Sequence, residues 1–119
     1  MTNHLSDNSE SVRDRQLRSI AGCQVYFDWE GFLWDADDWN ESIAEAMALE
    51  DGLHQLEQTH WRVIRFMRAY YLYHGRAPMN RHLKEGTGLS LMQLERLFPK
   101  GIKMGARRLA GLPNPKSCL

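Results

Sequence analysis

The sequence is short of cysteine, with only Cys23 and Cys118 in 119 residues. At most one pair excludes a disulfide framework, and no cysteine spacing matches a zinc knuckle. Long apolar runs are missing too: none approaches the ~18 residues of a membrane span. The opening MTNHLSDNSESVRDRQLRS has neither an apolar stretch nor a small-residue cleavage site, so the expectation is a cytoplasmic protein with reduced thiols. The last shortage is of charge of one sign. Lys and Arg are absent from Ser19 to Trp61, and after Glu57 the only acids are Glu85 and Glu95.

The net charge of zero therefore conceals a dipole. Residues 1–57 carry three basic and thirteen acidic side chains, whereas residues 58–119 carry twelve basic and two acidic. An anionic partner is expected on the C-terminal half, and charge alone does not separate RNA from an acidic protein. Lys100, Lys103, Arg107, Arg108 and Lys116 follow the last acid, Glu95.

With 43% hydrophobic and 25% charged residues, the chain has the material for one core. Residues 1–18 read as a loosely ordered lead-in, 19–110 as a single domain and 111–119 as an arm. CQVYFDWEGFLW places two β-favouring runs around Trp29, Glu30 and Gly31, with Gly31 suited to the turn. DADDWNESIAEAMALEDG predicts a helix capped by Asp38 or Asn40 and ended by Gly52. Thr59 is the expected cap of a central helix running to Gly75. Val63, Ile64, Met67 and Tyr71 form its apolar stripe, and Arg62, Arg65 and Arg68 fall outside it.

A short helix from Pro78, closed by Gly86 and Gly88, precedes another capped by Ser90 and stopped by Pro99. A last short helix ends at Gly111. Pro113 and Pro115 then bracket Asn114, which predicts a stiff, extended arm that keeps clear of the core. The whole is an α+β architecture: a small antiparallel hairpin or meander on about five helices, with a mobile C-terminal arm.

Several residue groups invite a chemical reading. Residues 79–97 have the outline of a helix-turn-helix, which keeps a DNA-binding or regulatory module as an alternative, though the second helix offers only Arg96 to a groove. His54 and His60 do not match a recurring metal-ligand spacing, and Asp28, Asp35, Asp37 and Asp38 lack the order of a calcium loop. Trp29, Trp34, Trp39 and Trp61, with Tyr70 and Tyr71, are expected to furnish the core, and Cys23 to be a small buried side chain. Cys118 is different, being a thiol beyond two prolines with only Leu119 after it. The adjacent carboxylate works against thiolate formation, while Lys116, Arg107 or Arg108 favours it if near. An inert terminal cysteine and a working one both fit these residues.

The ordered set DWEGFLWDADDWNESIA, EDGLHQLEQTHWRVIRFMRAYY, LFPKG and AGLPNPKSCL resembles the DsrC/TusE/DsvC family of sulfur-relay proteins from about residue 25 to 119. The resemblance puts the family's penultimate cysteine on Cys118 and implies a sulfurtransferase of relay type. Such a protein takes sulfane sulfur as a persulfide on Cys118 and passes it on, with no bound cofactor or metal. In the TusE branch the implied donor is a TusBCD-like complex and the implied acceptor is the tRNA thiolase MnmA, which modifies wobble uridine. In the DsrC branch a second arm cysteine stands eleven positions earlier and the partner is dissimilatory sulfite reductase. Here that position is Arg107, so the resemblance favours the one-cysteine role, with carriage toward sulfur oxidation as the alternative.

Overall fold

The computed structural model describes residues 14–115. Strand β1 (Arg15–Ile20) pairs antiparallel with β2 (Cys23–Asp28), in a register running from Arg15 opposite Asp28 to Ile20 opposite Cys23. Ala21 (φ 50°) and Gly22 (φ 78°) form a two-residue turn whose left-handed backbone follows the twist of the strands. The main hairpin therefore turns at Ala21–Gly22. Gly31 (φ 91°) turns a second, shorter return, in which Phe27 meets Leu33 across one bridge and Trp34 N–H donates to the Tyr26 carbonyl.

The boundary of the lead-in at residue 18 is corrected accordingly, because β1 begins at Arg15. Its charged letters disguise it. The Arg15 guanidinium lies 4.1 Å from the centre of the Tyr26 ring and that of Arg18 lies 4.8 Å from Phe27, so these arginines cover aromatic surface from a strand with little apolar character.

Helix α1 (Glu41–Glu50) starts where Asn40 Oδ1 accepts from Ile43 N–H at 2.8 Å, and its buried face is Ile43, Ala44, Met47 and Ala48. Helix α2 (Gln58–His74) starts one residue before the expected cap: Glu57 holds the cap position, and its N–H donates to His60 Nδ1 at 3.0 Å. The other ring nitrogen of His60 meets the Leu97 carbonyl at 2.9 Å. One ring thus serves two helix ends, an arrangement that requires hydrogen on Nε2 and none on Nδ1. Gly75, in the left-handed conformation, closes α2 as expected.

Helix α3 (Asn80–Thr87) contains Gly86 rather than ending on it. A Cβ there would come within 2.0 Å of the Phe66 ring, so Gly86 lets α3 lie close on α2, and Gly88 makes the cap. Helix α4 (Leu91–Leu97) carries the reciprocal cap between Ser90 and Gln93. The chain then winds through a π-helical segment, Ile102–Arg107.

The largest fully buried side chains include Phe27, Phe32, Phe98, Leu33, Ile64, Leu109 and Leu112. The tryptophans play a smaller part than expected: Trp29 is 64% exposed and Trp34 is exposed, while Trp39 and Trp61 pack on the edge of the core. Cys23 is also exposed: it shares the face of Val25 and Phe27, but it stands at the end of β2 beside the hairpin turn, where that face runs past the core. No helix among the described residues is long and apolar enough to cross a membrane.

Candidate functional site

The C-terminal segment was expected to leave the body at Gly111. Up to Asn114 it is instead bolted down by side chains from distant parts of the chain, and it forms the site on which the tail is mounted.

The first bolt is Arg108. It is buried, with its Nη2 2.6 Å from Asp51 Oδ1, its Nη1 3.2 Å from the Gly31 carbonyl and its Nε 3.2 Å from that of Met104. The Arg108 and Asp51 side chains are 6% and 2% exposed, so the pair is dry, and removing one partner from such a pair typically costs about 3–5 kcal/mol. The Arg108 guanidinium is therefore committed to Asp51 and is not a surface charge at the disposal of a thiol. Lys100, which sits 3.5 Å from the same Asp51 oxygen, leans inward from the basic stretch as well. Arg107 ends the π-helical segment half-buried.

The next bolts hold carbonyls. Trp39 Nε1 donates to the Leu109 carbonyl at 2.7 Å, and Arg68 Nη1 to that of Ala110 at 3.1 Å. Arg68 also donates from Nη2 to the Ala36 carbonyl at 2.7 Å and lies 4.4 Å from the centre of the Trp39 ring. Burial holds this guanidinium below the ordinary arginine range, opposed by the charges of Asp37 and Tyr71. Two captured carbonyls and an aromatic face compensate it where water does not. Gly111 follows with φ 75°, and a Cβ there would stand 2.4 Å from Trp39 Cδ1, so both backbone and space demand glycine.

Leu112 is fully buried, and Asn114 is only 7% exposed. The Asn114 carboxamide donates from Nδ2 to Asp28 Oδ2 at 2.9 Å and to Glu30 Oε1. Asp28 is itself fixed, since its Oδ1 accepts from the N–H groups of Glu30 and Phe32, both at 2.9 Å. A cavity of about 130 Å³ lined by Asp28, Leu33, Trp34, Pro113 and Asn114 opens beside this grip.

Cys118 and Lys116 lie outside the described residues. Of the other sequence-expected groups, Arg107 and Arg108 reach the tail mount, the latter as a structural pair. Asp28 belongs to it through Asn114, and Asp35 instead accepts from Asp37 N–H at the start of a 3-10 turn, Ala36–Asp38. No group of three or more His, Cys, Asp or Glu among the described residues is arranged to hold a metal ion. Sequence reasoning missed Trp39, Asp51, Arg68 and Asn114 as parts of the mount. Arg68 and Asn114 carried the only signals: an arginine one residue from the buried Met67, and a polar residue enclosed by two prolines.

The described arrangement does no bond-making chemistry by itself. What it does is hold the chain against the body as far as Asn114.

The comparisons agree with the geometry. The family model described as "DsrC like protein" matches residues 19–119. The gamma subunit of dissimilatory-type sulfite reductase from Nitratidesulfovibrio vulgaris is 38% identical over 92 residues, which cover 77% of this chain and 88% of that protein. The sulfurtransferase TusE of Sodalis glossinidius is 35% identical over 105 residues, covering 82% and 96%. Among solved structures, dissimilatory sulfite reductase I superposes with a TM-score of 0.81 at 35% identity over 87% of this chain and 100% of that one. The oxidised DsrC gamma subunit from Archaeoglobus fulgidus gives 0.75 at 33% identity, with the same coverage of both chains.

Proposed function

The chain belongs to the family of DsrC-like proteins, and on that premise we propose that it is a sulfur-relay protein with Cys118 as its carrier. The observation that carries the reading is the coincidence of two features. The family's penultimate cysteine falls on Cys118, and the chain is mounted on the body four residues before it, at Asn114.

The chemistry is a redox-neutral exchange. The Cys118 thiolate attacks the outer sulfur of a donor persulfide, the donor's sulfur–sulfur bond breaks, and the donor leaves as a thiolate that takes up a proton. Cys118 then holds the persulfide, and the same displacement at an acceptor returns it to the thiol. No oxidant or metal is consumed. Activation of the thiolate falls to the partner's pocket, with Lys116 and Arg107 as the chain's own candidates for supporting charge.

The direction of transfer follows the one-cysteine pattern. With Arg107 in place of a second arm cysteine, an intramolecular disulfide of the arm has no partner, which favours a TusE-like role in the cytoplasm. The donor is then a TusBCD-like complex and the acceptor an MnmA-like tRNA thiolase acting on wobble uridine. The similarity to a sulfite reductase gamma subunit supports a second reading, carriage to or from a dissimilatory sulfite reductase.

The test is intact mass after exposure to a labelled persulfide donor. The wild type gains one sulfur and Cys118→Ser gains none; a gain that persists in Cys118→Ser sinks the proposal. Deletion of the gene followed by analysis of wobble 2-thiouridine separates the two directions, since an unchanged level removes an essential tRNA role.

A further inference from the structure

Where α2 runs into α3, four aromatic rings touch in a row. The centre of the His74 ring lies 4.1 Å from that of Tyr70 and 4.9 Å from that of Tyr73, and Tyr70 stacks on His82 at 5.0 Å. We propose that this row, with Arg76 and Arg81 beside it, is a docking surface for single-stranded RNA, whose unpaired bases stack on the rings while its phosphates meet the arginines. The surface goes beyond the relay reading and does not depend on Cys118 or on the direction of sulfur transfer.

The row is held at one end and open at the other. The Tyr70 hydroxyl is 3.3 Å from His82 Nδ1, which also accepts from Met79 N–H at 3.1 Å, and Phe66 backs Tyr70 with ring centres 6.0 Å apart. Tyr73, in contrast, is 85% exposed and His74 is exposed beside it. A phenol ring left that far in water adds nothing to the core, yet its face is free for a planar partner. Base–aromatic stacking is sequence-tolerant because every base has a π-face of its own.

The charge around the rings is of one sign and unspent. From Gln58 to Lys84 the sequence holds no acid, and Glu85, one turn beyond Arg81, is the only acid of α3. Other arginines are already taken: Arg65 by Glu41, Arg62 by the Thr87 carbonyl, Arg68 by two carbonyls and Arg108 by Asp51. Arg76 and Arg81 are exposed, and neither pairs with a carboxylate among the described residues. An acidic peptide could use these cations but not the rings, because the face of a phenol ring is negative and repels a carboxylate. A duplex keeps its bases stacked on one another and offers none to the row. RNA is favoured over DNA by the exposed His74 imidazole and Asn80 carboxamide, which both donate and accept hydrogen bonds, as a ribose 2′-hydroxyl does and deoxyribose does not.

The test is fluorescence anisotropy of the full chain with a fluorescein-labelled oligouridylate of about 12 nucleotides, long enough to span one such site. Binding that weakens with salt is expected. Tyr73→Ala is expected to lower the affinity about tenfold, the loss of one stacked base, and Tyr73→Phe to keep it. The double variant Arg76→Gln/Arg81→Gln is expected to reduce the slope of log affinity against log salt by about 1.4, at ~0.7 for each phosphate contact to a single strand. All three positions are exposed, so none of these changes threatens folding. The deoxy oligomer and an oligoglutamate of the same length are expected to bind more weakly than the RNA. No binding of the oligouridylate at low salt overturns the proposal, as does equal or tighter binding of the deoxy oligomer or the peptide. RNA binding that Tyr73→Ala leaves unchanged also overturns it, because the bases then do not stack there, and so does a salt slope that the arginine variant leaves unchanged. The assay contains no persulfide, so its failure leaves the sulfur-transfer test standing, and the reverse also holds.

Discussion

The two ends of the described chain are fastened in opposite ways. The N-terminal end is a strand in a hairpin, whose holding bonds run from backbone to backbone along six register pairs. The C-terminal end has no ladder. Its carbonyls and its one polar side chain are taken by Trp39, Arg68, Asp28 and Glu30, which lie 42 to 86 residues away in sequence. A ladder shares its load, so side chains along it are individually replaceable. A set of bolts does not, and each substitution removes one attachment outright.

That contrast can be broken at the heaviest bolt first. Arg108→Ala leaves Asp51 buried with only the more distant Lys100 beside it, and a loss toward the lower end of about 3–5 kcal/mol in urea unfolding is expected. An unchanged unfolding midpoint would refute the mount as described. Gly111→Ala comes next, with a loss of about 1–3 kcal/mol from a Cβ driven into Trp39 at a left-handed backbone position. Trp39→Phe keeps the ring over Arg68 but deletes the donor to the Leu109 carbonyl. It should cost about 1–2 kcal/mol, and protection of the amides around residue 110 from hydrogen exchange should fall with it.

The smallest effects belong to the hairpin. Arg18→Ala removes an ion pair with Glu50 at a partly exposed site, where a change below about 1 kcal/mol is expected. Ala21→Gly should raise the unfolding midpoint slightly, because Ala21 is the one described non-glycine residue with positive φ and glycine relieves that backbone at a modest entropic cost. If the hairpin substitutions cost more than those at the tail mount, the contrast between shared and individual fastening is wrong.

The same contrast explains what could be read in advance. Helix ends announce themselves within four residues, and Asn40, Ser90, Gly75, Gly88 and Gly111 all mark boundaries where the sequence places them. The cap of α2 escaped because a histidine three residues on does the work usually left to a hydroxyl or carboxylate. Strand β1 escaped because arginine stems stand in for apolar side chains against Tyr26 and Phe27. For the tail, Pro113 fits the end of regular winding after Gly111, while Pro115 already lies in a 3-10 turn, and neither proline says whether the segment between them stands free or lies in a groove. Only the partners decide that, and a bond from Trp39 to Leu109 spans 70 residues without leaving any periodic trace. The resemblance to a family singled out Cys118 as the expected carrier, and the structure added the side-chain bolts that hold the chain up to Asn114.

The winding of Ile102–Arg107 bears on all of this. A π-helical turn accommodates one more residue than an α-turn, which rotates everything after it by roughly 100° about the helix axis. That offset is a phase setting. With it, Arg108 faces Asp51 while its neighbour Arg107 ends the turn on a different side; regular α winding through the same stretch would swing both arginines round and carry Arg108 away from Asp51.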